Sequence, residues 1–421
     1  MNTYFNEKAG KDEERFSPKR IIVRFFGFVL SLAMMISCSS AGHIFASGDL
    51  AAIGEKSYAK ISEAIAAAGE NDTVKLLPRA DGSPVYGCYT VSGKRNITID
   101  LNKATIEYRG ENNYLLKIEN SSVTIKNGTL NLQNAGSAVA VSGNSNVTFE
   151  NVTIKSSGRG VFVQSTGDTY IKVNSDTVIA SEKPSFYFGS EDASENITLD
   201  IFGKINSEKA SAIYNISKGK VKINLHGGSE IKATDVGIYN KESGFSLEMY
   251  GGLISGGTGI HSIGGKLTIR GGHISATGSK GEAQNTGCAV SSEGASLKII
   301  GGVFYSSNAG AVGGEYSDIS VVGGSFFPEV PTAVTRKGAT FTEEIINGMP
   351  YKVISCATDG EAYKIAKPAV QIAMLEPWGV RVSAAVAKDG VAVAPADYAT
   401  ENIRCGVWFA IGEEKYTSAE E

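Results

Sequence analysis

The sequence predicts an all-β protein, a parallel β-helix in which the chain winds into a solenoid of about ten coils, with an N-terminal capping helix and a small C-terminal β domain. Three observations predict the solenoid. A short strand pattern recurs every 22 to 30 residues, a glycine turn follows most copies of it, and 50 glycines but only 10 prolines occur among 421 residues. Many glycines suit many turns, and few prolines suit strands whose N–H groups must all form hydrogen bonds.

The first strand of each repeat alternates apolar and polar residues, as in Ile97-Thr-Ile-Asp and Val123-Thr-Ile-Lys. A period of two is typical of a strand with one buried face. The ten copies begin at Ile97, Val123, Val147, Ile171, Ile197, Val221, Phe245, Leu267, Leu297 and Ile319. Because one coil cannot bury its apolar face alone, we expect the copies to stack and to share a continuous core.

A turn and two further strands complete each repeat. The turn is Asn127-Gly128 in an early copy and a Gly-Gly pair in five later copies, which begin at Gly227, Gly251, Gly271, Gly301 and Gly323. Glycine and asparagine adopt left-handed backbone conformations at low cost, so the chain can bend at the same point of every coil. The second strand follows the turn, as in Leu253-Ile-Ser, and the third reads, for example, Ala212-Ile-Tyr-Asn.

An amphipathic helix is predicted ahead of the first coil, over residues 57–68. Its apolar residues Ile61, Ala64, Ile65 and Ala68 share one face. A strand over residues 73–77 follows it. We expect the helix to cover the open end of the core and to block the addition of further strands at that edge.

The repeat fades near Arg336, and residues 337–421 hold strand-like runs without the turn spacing of the coils. We assign residues 47–336 to the solenoid with its cap, and residues 337–421 to a connector and a small β domain. The sequence ends directly after a strand candidate, which leaves the completeness of this domain open. Trp378 and Trp408 form the core of the domain or stack on sugars.

The N-terminal residues have the features of an export signal. Lys19, Arg20 and Arg24 precede an apolar run over residues 25–36, which is too short for a helix that spans a bilayer of about 30 Å. The run fits the apolar region of a secretory signal peptide. Cys38 and the three residues before it resemble a bacterial lipobox, so that Cys38 becomes the lipidated N-terminus, or else a signal peptidase cuts after Ala41 or Ala46. Residues 1–46 are therefore assigned to the signal, and the mature protein is expected outside the cell or at its surface.

The charge and the composition argue against several partners. The 40 basic and 44 acidic residues give a net charge of -4, which offers no support for a nucleic-acid partner. The sequence has only four histidines, which argues against a histidine-rich metal centre. We expect no metal and no cofactor. Five cysteines are too few for a disulfide-dense scaffold; Cys356 and Cys405 pair with each other or remain unpaired thiols.

Residues 48–336 resemble the right-handed parallel β-helices of the pectate-lyase-like superfamily, in a glycine-rich form that is similar to secreted and surface β-helix proteins of gut Firmicutes. The strand, turn and strand pattern given above carries this resemblance. It implies a right-handed solenoid. It implies no single activity, since the superfamily contains lyases, hydrolases, epimerases and non-catalytic adhesins.

The acidic residues do not predict a catalytic site. The fourth position of the first strand points outward and holds, in order, Asp100, Lys126, Glu150, Asn174, Asp200, Asn224, Glu248, Arg270, Ile300 and Val322. No two adjacent coils both carry a carboxylate there, whereas a glycoside hydrolase needs paired carboxylates. The densest acidic group is Asp176, Glu191, Asp192 and Asp200. We assign no catalytic residue, and a polysaccharide lyase or glycoside hydrolase acting on uronate-containing polysaccharide is the alternative function.

A column of aromatic residues on the third strand predicts a binding site. If Val161, Tyr187, Ile213, Ile238 and Ile260 point inward, the residues after them point outward on five consecutive coils. Those outward residues are Phe162, Phe188, Tyr214, Tyr239 and His261. Such a row would hold an extended polysaccharide or host-surface glycan by stacking, or it would form a structural stack covered by a loop or by the C-terminal domain. We therefore expect a non-catalytic binding protein, with an enzyme or a structural spacer as alternatives.

Overall fold

The structure is a computed structural model that describes residues 48–77, 79, 81–191, 195–278, 287–314, 319–328 and 339–356, together with five short strands nearer the C-terminus. A boundary at residue 47 divides the chain into two units, and the second unit, residues 48–421, contains the fold. The predicted export signal and Cys38 lie outside the described residues. Among the residues described, no helix is long and apolar enough to cross a membrane.

The N-terminal cap consists of strands β1 (Ala51–Ile53) and β2 (Lys56–Tyr58) and helix α1 (Ile61–Ala67). Its helix is shorter than predicted, because Lys56–Tyr58 pairs as a strand with β1 instead. Ile61, Ala64 and Ile65 are buried, and α1 lies against the strands of the first coil. Strand β1 also pairs antiparallel with the first strand of the solenoid, so the parallel sheet ends there with an antiparallel partner.

The solenoid has about ten coils of three strands each, as predicted, and the strands of successive coils pair in parallel. The first stack comprises β3 (Thr73–Leu76), β6 (Ile97–Asp100), β9 (Ser122–Leu132), β11 (Ser145–Ser156), β13 (Asp168–Val173), β16 (Asn196–Ile201), β19 (Lys220–Leu225), β22 (Phe245–Met249), β25 (Lys266–Ile269), β28 (Ser296–Ile299) and β31 (Ile319–Val321). The second stack comprises β4 (Val85–Tyr86), β7 (Thr105–Tyr108), the second halves of β9 and β11, β14 (Val178–Ser181), β17 (Lys204–Ser207), β20 (Glu230–Ala233), β23 (Leu253–Gly256), β26 (His273–Ala276), β29 (Val303–Ser306) and β32 (Gly323–Phe327). The third stack is a separate ten-stranded sheet of β5 (Tyr89–Ser92), β8 (Tyr114–Glu119), β10 (Ser137–Ser142), β12 (Arg159–Val163), β15 (Phe186–Phe188), β18 (Ile213–Asn215), β21 (Val236–Asn240), β24 (Thr258–Ser262), β27 (Val290–Ser292) and β30 (Val312–Gly314).

The core is a set of continuous columns, in which each inward residue packs on its equivalents in the coils above and below. One column of the first stack runs through Ile99, Ile125, Phe149, Val173, Ile201, Leu225, Met249, Ile269, Ile299 and Val321, and every member is buried. Two steps in this stack differ from the predicted alignment by two residues. Ile171 pairs with Leu199 rather than Ile197, and Leu247 rather than Phe245 pairs with Leu267. A shift of two preserves which residues face the core.

The predicted turns lie between the first and second strands and have the expected backbone conformation. Asn127 and Asn151 have φ angles of 59° and 51°, in the left-handed region. The Asn151 side-chain amide donates to Asn127 Oδ1 at 3.1 Å, so the turns of adjacent coils bond to each other. In later coils glycine takes this position, as at Gly252 with φ 89°, where an added Cβ would lie 2.3 Å from Ser229 Oγ.

Two buried asparagines bond inside the solenoid beneath the third stack. Asn215 and Asn240 occupy the same position of adjacent coils and are fully buried. Asn215 Nδ2 donates to Asn240 Oδ1 at 2.7 Å, and Asn240 Nδ2 lies within hydrogen-bond distance of Ser262 Oγ and Gly264 O. The amide groups thereby satisfy one another where the core would otherwise be apolar.

A hairpin closes the C-terminal end of the main sheet. Strands β33 (Ala339–Ile346) and β34 (Met349–Cys356) pair antiparallel, and β34 also pairs antiparallel with β32 of the last coil. Ile346 and Tyr351 pack on Val303 of the solenoid. The short strands that follow are β35 (Ile365–Ala366), β36 (Ala385–Lys388), β37 (Val391–Ala392), β38 (Phe409–Ile411) and β39 (Glu414–Tyr416). Trp378, Trp408 and Cys405 lie outside the described residues.

The asparagine pair yields a stability prediction. Asn240→Ala leaves the buried amide of Asn215 and the groups around Gly264 without their partner, and we expect a loss of about 3 kcal/mol in the free energy of unfolding, measured by urea denaturation. Asn112 is exposed, and Asn112→Ala is the control, with an expected change within about 0.5 kcal/mol. Equal stability of the two variants would show that the buried asparagines contribute nothing.

His273 yields a pH prediction. It lies between Leu253 and Val303 on adjacent coils, and burial lowers its pKa to about 4 from the ordinary 6.5. Between these two values the unfolded chain binds a proton that the folded chain does not, so stability is lost as the pH falls from 6.5 to 4, by up to about 3 kcal/mol. His273→Leu should remove this component. Urea denaturation at both pH values checks it, and an identical pH dependence in the two proteins would contradict it.

Candidate functional site

The outward aromatic column exists on the third stack, with one change of residue. The strand pairs align Phe162 with Tyr187, Tyr187 with Tyr214, Tyr214 with Tyr239 and Tyr239 with His261. All five side chains are partly exposed. We call this set, Phe162, Tyr187, Tyr214, Tyr239 and His261, the aromatic ladder.

Phe188 was predicted in the ladder, and that prediction is wrong. Phe188 is fully buried and pairs with Val163 and Asn215, which also face the core. In the Phe186-Tyr187-Phe188 strand the two phenylalanines point inward and the tyrosine points outward. Burying both phenylalanines removes more apolar surface from water, and it leaves the tyrosine hydroxyl near solvent, where it finds hydrogen-bond partners. Tyr187 is therefore the ladder residue that the sequence analysis missed.

The rings of the ladder stack mainly on one another. Tyr187 and Tyr214 have ring centroids 5.5 Å apart and planes 7° apart, and Tyr214 and Tyr239 are 4.9 Å and 20° apart. The end pairs differ: Phe162 is tilted by 53° to Tyr187 at 5.6 Å, and His261 meets Tyr239 edge-on at 5.4 Å. Because the inner rings share their faces, the ladder presents to solvent mostly ring edges and phenolic oxygens.

Charged groups flank both ends of the ladder. The Arg159 guanidinium lies 4.5 Å from the Tyr187 ring centroid and 5.6 Å from that of Phe162, within the range of cation–π attraction. At the other end His261 Nε2 lies 3.4 Å from Glu293 Oε1. Burial raises the pKa of Tyr239, so its phenol is protonated and can donate a hydrogen bond at neutral pH.

One glycine creates the room that the rings need. Gly189 directly follows strand β15. A Cβ added at Gly189 would lie 2.4 Å from Cε1 of Tyr187 and 3.3 Å from Cε2 of Phe162. The two rings therefore lean over the backbone at Gly189. Ala140 occupies the ladder position one coil before Phe162, so the row of rings begins at a small side chain.

The acidic residues that the sequence grouped together are engaged separately. Asp200 accepts hydrogen bonds from Tyr170 and Asn224, each at 2.6 Å, whereas Glu191 pairs with Lys218 at 2.6 Å. Asp192 lies outside the described residues. Across the described part of the chain, no group of three or more histidine, cysteine, aspartate or glutamate residues is placed to hold a metal ion.

The comparisons with known proteins return no relative. The chain matches no protein-family model, no curated protein and no solved structure.

The corrected orientation of the ladder strand predicts unequal losses of stability for substitutions at two neighbouring residues. Phe188→Ala removes a buried ring from the core and should lower the free energy of unfolding by about 4 kcal/mol. Tyr187→Ala removes a partly exposed ring and should cost about 1 kcal/mol, mainly through the lost stacking. Urea denaturation of both variants distinguishes the two orientations. A larger loss in the free energy of unfolding for Tyr187→Ala than for Phe188→Ala would show that Phe188 lies at the surface.

Proposed function

We propose that this chain is a secreted or cell-surface binding protein, without catalytic activity, that holds an extended glycan along its aromatic ladder. The observation that carries the proposal is the row of five partly exposed rings on consecutive coils. Rings of this number seldom stay at a solvent-facing surface without a ligand or partner.

The ladder suits a polymer because its contacts repeat. Parallel strands lie about 4.8 Å apart, so a chain running along the solenoid axis meets a similar set of groups at each coil. The ring edges of Tyr187, Tyr214 and Tyr239 offer apolar contact to the C–H groups of a sugar, and their hydroxyls bond to sugar hydroxyls. Since the inner ring faces are shared, we expect the glycan to lie across the ring edges rather than between the rings.

The setting of the ladder follows from two further inferences. We infer that the solenoid is related to the pectate-lyase-like β-helices, and that it resembles the glycine-rich secreted and surface β-helix proteins of gut Firmicutes. The basic and apolar N-terminal segment supports export, with lipidation at Cys38 as a means of anchoring the protein to a membrane. A polysaccharide or a host-surface glycan is the partner that fits this location.

Retention of the full chain on immobilised polysaccharides tests the proposal. Replacing Phe162, Tyr187, Tyr214 and Tyr239 by alanine should weaken retention at least about tenfold, or about 1.4 kcal/mol, because the ring contacts are lost. Tyr214→Lys places a single charge in the middle of the ladder and leaves the core unchanged. We expect it to weaken retention as well. Tyr86→Ala is the control, since Tyr86 is 55 % exposed on another stack.

Two results would overturn the proposal. Retention that is unchanged in both ladder variants would remove the ladder as the binding site. Release of new reducing ends or of unsaturated products from a uronate-containing polysaccharide would show an enzyme instead of a non-catalytic binder.

A further inference from the structure

A second stack of rings lies on the outer face of the first stack of strands, away from the ladder sheet. Phe202, His226 and Tyr250 each follow the last residue of strands β16, β19 and β22, whose last residues pair in register. The Phe202 and His226 rings are 4.0 Å apart and within 7° of parallel, and His226 and Tyr250 are 5.7 Å and 20° apart. Tyr250 is 46 % exposed.

A row of polar side chains runs beside these rings. Asp200, Asn224 and Glu248 lie two residues earlier on the same strands and therefore face the same side. Asp200 is fixed by hydrogen bonds from Tyr170 to Oδ2 and from Asn224 to Oδ1, both at 2.6 Å. We call the two rows together, Asp200, Phe202, Asn224, His226, Glu248 and Tyr250, the ring platform.

The cations near the ring platform are already engaged. Lys172 Nζ lies 5.4 Å from the centroid of the Phe202 ring, and Arg270 Nε lies 3.2 Å from Glu248 Oε2. These two cations balance the two carboxylates of the same face, those of Asp200 and Glu248. Because both cations are engaged, the surface offers no spare positive charge to an acidic ligand, whereas a neutral ligand needs none.

The ring platform also holds hydrogen-bonding capacity that the described residues leave unused. Asn224 Oδ1 and His226 Nε2 are buried and have no hydrogen-bond partner, and Nε2 stands 3.9 Å from Asp200 Oδ1, too far for a direct bond. Unpaired buried polar atoms cost free energy, and a ligand or a bridging water that pairs with them recovers it. Burial lowers the pKa of His226, so the imidazole is neutral at neutral pH and offers a donor and an acceptor rather than a charge.

We propose that the ring platform is a second carbohydrate site, specific for neutral pyranose sugars. Aromatic rings beside fixed carboxylate and amide groups combine apolar contact for the sugar C–H groups with acceptors and donors for its hydroxyls. The exposed Tyr250 supplies the main contact surface, and Asn224 and Glu248 fix the orientation of the sugar. This site lies on a different sheet from the ladder and does not depend on glycan binding there.

Titration calorimetry on the full chain tests the site, with cellohexaose, xylohexaose and chitohexaose as neutral probes and hexagalacturonate as the acidic one. Measurements in the wild type and in the ladder variant with four alanines separate the two sites. In the ladder variant we expect at least one neutral hexasaccharide to bind, and Tyr250→Ala to weaken it about tenfold or more. Tyr250→Phe keeps the ring and should stay within about threefold, as should the control Tyr86→Ala.

A second readout does not depend on affinity. The imidazole NMR signals of His226, assigned with His226→Gln, should shift on titration with the neutral probe that binds. The site is overturned if no neutral probe binds the ladder variant at about 10 mM, if Tyr250→Ala leaves the affinity unchanged, or if hexagalacturonate is preferred. A ladder variant that loses all binding overturns the ring platform and leaves the ladder proposal standing. Binding that the ladder variant retains and that Tyr250→Ala abolishes supports the ring platform and counts against the ladder proposal.

Discussion

Parallel pairing of successive coils in register is the constraint on which the rest of this structure depends. Each strand lies about 4.8 Å from its equivalent in the next coil, so every side chain stacks on the residues at the same position above and below it. Inside, this produces columns of valine, leucine and isoleucine and the bonded pair Asn215 and Asn240. Outside, the same geometry turns single aromatic residues into rows. Neither the aromatic ladder nor the ring platform would exist if the coils paired in another register.

The surface rows are therefore coupled to the core. Strand residues alternate between the two faces, so a slip of one residue would bury a ladder tyrosine and expose a phenylalanine, whereas a slip of two leaves the core unchanged and rearranges only the surface. Turns, caps and glycines hold the register against such slips. Asn127 and Asn151 bond turn to turn, and antiparallel strands close both ends of the main sheet. Gly189 then admits the rings that the register brings together.

The sequence alone predicted the solenoid, the number of coils, the glycine turns and the capping helix, because each of these leaves a repeated or periodic signal. It placed four of the five ladder residues correctly. Phe188 was misplaced because all three residues of Phe-Tyr-Phe are aromatic, so the sequence does not show which of them face the core. The orientation of the strand is decided by the burial of both phenylalanines. The ring platform was missed because Phe202, His226 and Tyr250, although evenly spaced along the chain, follow the four-residue strand pattern at the point where the turn begins. The direction of a side chain at that point depends on the geometry of the turn, which the apolar alternation does not predict.

Oxidative tyrosine cross-linking tests the register, and with it the central claim, most directly. Brief photo-oxidation of the unmodified protein, followed by peptide mass spectrometry, should yield dityrosine between Tyr187 and Tyr214 and between Tyr214 and Tyr239, whose rings lie 5.5 and 4.9 Å apart on the outer face. Cross-links between Tyr214 and Tyr239 without any to Tyr187 would show that Tyr187 points into the core, and they would contradict the account.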